Sequence, residues 1–116
     1  MLIMVKPGFA DNHYIVSDII KRAGFIGRSL MAARRRRLQY GVADTLYSEH
    51  GSQPWHRDNC LYMSCRDVLI MEFTGSRHDS LVTEIREKWG VSQTFNVIHC
   101  SRDADEELER GILLGD

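Results

Sequence analysis

Asn96-Val97-Ile98-His99-Cys100-Ser101 is a short apolar strand that ends on an imidazole, with a helix start directly behind it. Ser101, Asp103 and Glu106 read as an N-cap followed by an acidic first turn. A histidine held between a strand and a helix start can be aimed rigidly at a bound anion. The same kind of strand opens the chain. Leu2 to Lys6 is a continuous apolar run, the pattern of a central strand covered on both faces, and Pro7-Gly8 stops it.

Between these strands the pattern alternates. Asp11 or Asn12 can cap a helix from His13 to Ala23, in which Ile15, Ile19, Ile20 and Ala23 share a face and Gly24 closes the end. Ile26, Leu30 and Met31 could be helical, but a strand from Ser29 to Arg37 suits the rhythm better. Val42–Glu49 and Trp55–Ser64 read as short helices around a Gly51–Pro54 loop. Val68–Phe73 is a second buried strand, and Thr74-Gly75-Ser76 is a turn that also caps the next helix. That helix carries Leu81, Ile85 and Trp89 and ends at Gly90. Phe95–His99 is the last strand, and Ala104, Leu108 and Ile112 form the stripe of a last helix closed by Gly115. The order predicts an α+β fold, a ferredoxin-like sandwich in which a four-stranded antiparallel sheet packs helices on one face.

The 116 residues form one domain, residues 1–116, able to bury roughly two-thirds of the unfolded chain's surface. Fifteen basic residues nearly cancel sixteen acidic ones, so no global charge draws the chain to nucleic acid or an anionic membrane. Three cysteines do not make a secreted disulfide framework, and the apolar start is too short for a signal peptide or a membrane span. A reducing, cytoplasmic setting follows as the expectation. Read together, Met4-Val5-Lys6-Pro7 and His99 suggest a phosphoryl-transfer site with His99 as covalent phosphate carrier.

In this order the motifs resemble the nucleoside diphosphate kinase family over nearly the whole chain. The matching pieces are Met4-Val5-Lys6-Pro7, Ile19-Ile20-Lys21-Arg22, Gly24-Phe25, Tyr47 with Pro54-Trp55-His56 seven residues on, Tyr62-Met63-Ser64, Val68–Glu72, Arg86 and Asn96-Val97-Ile98-His99. The resemblance implies a ping-pong reaction in which a nucleoside triphosphate phosphorylates His99 and a nucleoside diphosphate takes the group back. It assigns Lys6 and Asn96 to the sugar hydroxyl and nearby phosphate, Tyr47 and Arg86 to the phosphates, and Trp55 to stacking on the base. It also implies a Mg²⁺ ion held mainly by nucleotide oxygens, and a homo-oligomer.

The chain departs from the family in places. Only Val91–Phe95 separates Gly90 from Asn96, where the family has a long loop with a threonine, a second phosphate arginine and much of the subunit contact surface. One lost donor to developing charge costs about 10² to 10³ in rate, so a weak or inactive nucleotide-binding module is the alternative. Arg102 is a candidate replacement, and the usual hexamer is not expected. The glutamate that orients the family's histidine aligns near Arg110 or Gly111, with Glu106 and Glu109 as substitutes. Three further features have plainer readings. Arg34–Arg37 is a solvated strand end rather than a nucleic-acid surface, because alternation aims at most two guanidiniums one way. His50, His56, Cys60 and Cys65 lack the spacing of a zinc cluster. Cys100 is a small buried residue.

Overall fold

Leu2–Val5 forms β1, buried at all four positions, and such a strand has to be covered on both faces. The computed structural model describes residues 1–90 and 96–115. On one side β1 pairs antiparallel with β3 (Asp67–Phe73), Leu2 opposite Glu72 and Val5 opposite Leu69. On the other it pairs antiparallel with β4 (Ile98–Cys100), Met4 opposite His99. β2 (Leu30–Arg37) joins β3 at the edge, giving the order β2-β3-β1-β4. This is the expected four-stranded antiparallel sheet.

The helices, however, cover both faces rather than one. Ile3, Val5, Leu69, Met71 and Phe73 pack against Ile15, Ile19 and Ala23 of α1 (His13–Phe25) and Leu81, Val82 and Ile85 of α4 (Asp79–Trp89). The alternate set, Leu2, Met4, Val68 and Ile70, packs against α2 (Tyr40–Leu46), α3 (His56–Met63) and α5 (Glu106–Leu114) through Ala43, Leu46, Cys60, Met63 and Leu113. Successive strand side chains point to opposite faces, so strands apolar at every position need a helical layer on each.

Several helix ends differ from the sequence expectation. Asn12 does cap α1, its side chain accepting from the Tyr14 and Ile15 amides at 3.0 and 3.3 Å. The helix runs past Gly24, however, and Gly27 with φ +76° supplies the left-handed residue beyond its end. α4 is capped by His78, whose Nδ1 accepts from the Leu81 amide at 3.1 Å, not by the Thr74–Ser76 turn. Ser101 caps nothing: a 3₁₀ turn at Asp103–Asp105 intervenes, and α5 begins at Glu106. With that later start Leu113 is the fully buried contact, while Leu108 is 69% exposed. β4 begins at Ile98 among the described residues; the expected strand start at Phe95 and the short Val91–Phe95 connection lie outside them.

The arginine run of β2 is used within the chain. Arg34 Nη1 and Arg36 Nη1 donate to the carbonyls of Leu114 and Leu113 at 3.3 and 2.6 Å, where cations suit the carboxyl end of α5. Arg35 reaches Asp11 Oδ1 at 2.7 Å and the Ala10 carbonyl at 3.0 Å, and Arg37 the Ser64 carbonyl at 2.9 Å. Among the described residues, no helix is long and apolar enough to cross a membrane.

Candidate active site

Because His99 sits opposite Met4, it lies on the face covered by α2, α3 and α5. The chain turns back after β4, and α5 places Glu109 over the ring. Glu109 Oε1 lies 2.5 Å from His99 Nε2 and accepts from Ser101 Oγ at 2.8 Å. Burial alone would raise the Glu109 carboxyl, but the His99 ring, the Ser101 hydroxyl and Arg102 hold it below the ordinary glutamate value. An ionised carboxylate can only accept, so Nε2 carries a proton, and in the neutral form of the ring it is Nδ1 that keeps the lone pair. Of the two glutamates offered by the sequence, Glu109 takes this position. Glu106 instead meets the Met1 ammonium at 3.2 Å and Arg110 at 3.3 Å.

Tyr47 follows α2 directly and stands edge-on to His99, ring centroids 5.7 Å apart at 72°. Its hydroxyl is buried without a hydrogen-bond partner among the described residues. Burial, then the Glu109 charge, raises its phenol well above the ordinary range, so it stays a neutral donor.

Lys6 leaves β1 with its amide bonded to the Val97 carbonyl at 3.0 Å, which ties it to the segment holding Asn96. The Lys6 side chain is buried, and burial, then the nearby Arg86, pushes its ammonium down to about 8. Arg86 projects from α4, donates to the Ile98 carbonyl at 3.3 Å, and keeps a buried Nε without a hydrogen-bond partner among the described residues. Burial and then Arg77 lower its guanidinium. Arg77 is a further cation that sequence reading passed over; its Nη1 holds the Cys100 carbonyl at 2.6 Å. Nothing in its local sequence marks it, since only the fold carries the start of α4 beside β4. Neither Lys6 nor Arg86 has a carboxylate partner among the described residues. The chain therefore bears the cost of two desolvated like charges side by side, an arrangement that a bound anion relieves.

The structure thus brings Lys6, Tyr47, Arg86 and His99 together, with Asn96 half-buried just before Val97. Trp55 stands apart. The residue is 42% exposed, and its ring meets His50 at 5.3 Å rather than Tyr47 or His99. Arg102 does not turn inward either: its Nη2 pairs with Asp105 at 2.7 Å and with Glu49 at 3.5 Å. Cys100 is buried, and burial pushes its thiol up to about 11, the condition of an inert packing group.

Fold and site define a class, an antiparallel α+β sandwich with an oriented histidine and a pair of buried cations at the strand ends. The chain is similar to nucleoside diphosphate kinases over nearly its whole length. It is 27% identical over 125 positions to that of Methanosphaera stadtmanae, covering 96% of this chain and 81% of the relative. With that of Thermoanaerobacter sp. (strain X514) it shares 28% over 127 positions, covering 97% and 93%. The crystal structure of the enzyme from Encephalitozoon cuniculi superposes with a TM-score of 0.82 at 27% identity, covering 99% of this chain and 88% of that one. No family model matches the chain.

The buried Lys6 carries a pH signature. Its folded value is about 8 against 10.5 for the free group, so the penalty for burying the charge is full below about 8 and is relieved as pH rises from there toward 10.5. In denaturant melts without nucleotide, Lys6→Met should be more stable than wild type at pH 7, and that advantage should shrink between pH 8 and 10. An advantage independent of pH, or a less stable variant at pH 7, would contradict the assignment.

Proposed function

We propose that the chain transfers the terminal phosphoryl group of a nucleoside triphosphate to a nucleoside diphosphate through a phosphohistidine at His99. The observation carrying this reading is the Glu109-held ring together with two cations, Lys6 and Arg86, that have no carboxylate partner among the described residues. In the forward half-reaction the Nδ1 lone pair attacks the terminal phosphorus. The N–P bond forms as the P–O bond to the departing diphosphate breaks, and that bond's electrons leave with the oxygen. The second nucleotide reverses the step. Such transfer needs chiefly alignment and stabilised charge. Glu109 and Ser101 align the ring, Lys6, Arg86 and the Tyr47 hydroxyl face the phosphates, and Asn96 with Lys6 serves the sugar hydroxyl. Trp55, exposed beside His50 and outside the cluster around His99, is the residue we assign to stacking on the base, and an aromatic face accepts any base with similar strength. Magnesium would accompany the polyphosphate, held mainly through its oxygens, since the described residues form no carboxylate cage at His99 beyond the single Glu109 that the ring occupies.

The decisive assay mixes the protein with ATP, GDP and magnesium and measures GTP. Wild type should form GTP and carry acid-labile, alkali-stable phosphate, while His99→Ala should do neither. Glu109→Gln should retain nucleotide binding but lose about 10²-fold or more in kcat, because the ring loses its fixed tautomer. Nucleotide-dependent thermal stabilisation that survives His99→Ala, with no GTP from wild type, would replace this reading with that of a binding module.

Self-association belongs to the same proposal. β2 lies at an edge of the sheet formed by the described residues, with Leu30 and Met31 exposed on it and Phe25, 80% exposed, just before it. A second copy pairing along that edge would cover these groups and give an oligomer smaller than a hexamer. Sedimentation velocity should show an oligomer that Met31→Lys shifts toward monomer. A monomeric wild type, or an unchanged variant, would remove the assignment.

A further inference from the structure

On the helical layer behind Tyr47, Asp44 of α2 and His56 and Cys60 of α3 converge, their ligand atoms all within 4.8 Å of one another. The His56 Nε2 lies 2.7 Å from Asp44 Oδ1 and 3.5 Å from Cys60 Sγ. A proton relay would place carboxylate and thiol on opposite ring nitrogens. Here both face the same nitrogen, which is how ligands surround a common centre. We propose that Asp44, His56 and Cys60 form a three-ligand site for a divalent zinc-class ion, its fourth position open toward the exposed Asp44 side.

The dimensions suit zinc. Bonds of about 2.0–2.1 Å to nitrogen and 2.3 Å to sulfur at a tetrahedral centre separate the two ligand atoms by roughly 3.5 Å, the spacing already present. His56 and Cys60 lie four residues apart on one face of α3, and both are buried. The carboxylate must draw back from the ring nitrogen by about half an ångström and swing toward the thiol by about an ångström to reach tetrahedral spacing, since the three ligand atoms span up to 4.8 Å, and its exposed side chain is free to do so. The mixed imidazole, thiolate and carboxylate set favours zinc over magnesium or calcium, which prefer oxygen alone. Binding replaces the thiol proton, which passes to solvent, and shifts the imidazole proton from Nε2 to Nδ1. Burial, then the Asp44 charge, raises the Cys60 thiol, so the metal-free site keeps that proton. Nδ1 is buried without a partner among the described residues, which places affinity in a moderate rather than a tight range. The ion would cross-link α2 to α3 and close the segment bearing Tyr47 and Trp55. That consequence rests on the nucleotide reading; the binding itself does not.

The test titrates the nucleotide-free chain, in a non-thiol reductant, with Zn²⁺ by calorimetry and with Co²⁺ by absorption. One equivalent should bind, with a thiolate-to-cobalt charge-transfer band. Cys60→Ser should abolish the band and weaken Zn²⁺ binding by more than about a hundredfold, exceeding the usual effect of an outer-shell change. Asp44→Asn, at an exposed side chain that leaves the core untouched, should weaken it by about tenfold or more. His99→Ala should change nothing. Absence of binding, a band that persists in a folded Cys60→Ser, binding untouched by Asp44→Asn, or loss in His99→Ala would each overturn the site.

Discussion

One carboxylate oxygen governs the candidate chemistry. Glu109 Oε1 accepts from both His99 and Ser101, and its ionised state fixes the proton of the ring on Nε2. Without that contact the imidazole could rotate or carry its proton on either nitrogen, and the side presented to a phosphate would not be defined. The Arg102 charge helps keep the carboxylate ionised while the guanidinium itself pairs with Asp105 and Glu49.

The sheet makes that contact possible. β4 is an edge strand of three residues, with His99 facing the layer that α5 joins. β1 lies next to it and delivers Lys6 at its end, where the Lys6 amide meets the Val97 carbonyl. α4 packs on the opposite face and reaches past β4 with Arg86, while Tyr47 arrives from the layer that holds Glu109. Arg86 from the α4 face, Lys6 at the end of β1 and the oriented ring on the other face converge at the strand ends. The strain of this arrangement is electrostatic. Burial and then Arg86 lower the basicity of Lys6, burial and then Arg77 lower that of Arg86, and an anionic ligand is their natural counter-charge.

Much of this was legible in the chain. Buried strands announce themselves as unbroken apolar runs, so β1 and β3 could be read directly, and the order of elements implied the sheet. The two-sided helical cover was present in the same runs, yet the one-faced plan of a common fold displaced it. Helix ends were read less well, because tertiary partners chose them: His78 rather than Ser76 caps α4, and Ser101 is drawn to Glu109 instead of capping α5. Lys6, Tyr47, Arg86 and His99 were found through resemblance, and the fold gathers them. Arg77 left no local signature. His56 and Cys60 stand out as metal-ligand types, yet with His50 and Cys65 their spacing is irregular and reads against a site, because their partner Asp44 comes from a different helix that only the fold brings alongside. The arginine run showed the reverse, a conspicuous sequence feature spent on helix ends and on Asp11.

Nitrogen-15 NMR of the His99 ring in the nucleotide-free protein at neutral pH tests the central claim most directly. The account predicts a neutral ring protonated at Nε2, with a bare Nδ1, and a Glu109→Gln variant in which that tautomer no longer dominates. A ring protonated at Nδ1, or one indifferent to the loss of the Glu109 charge, would contradict it.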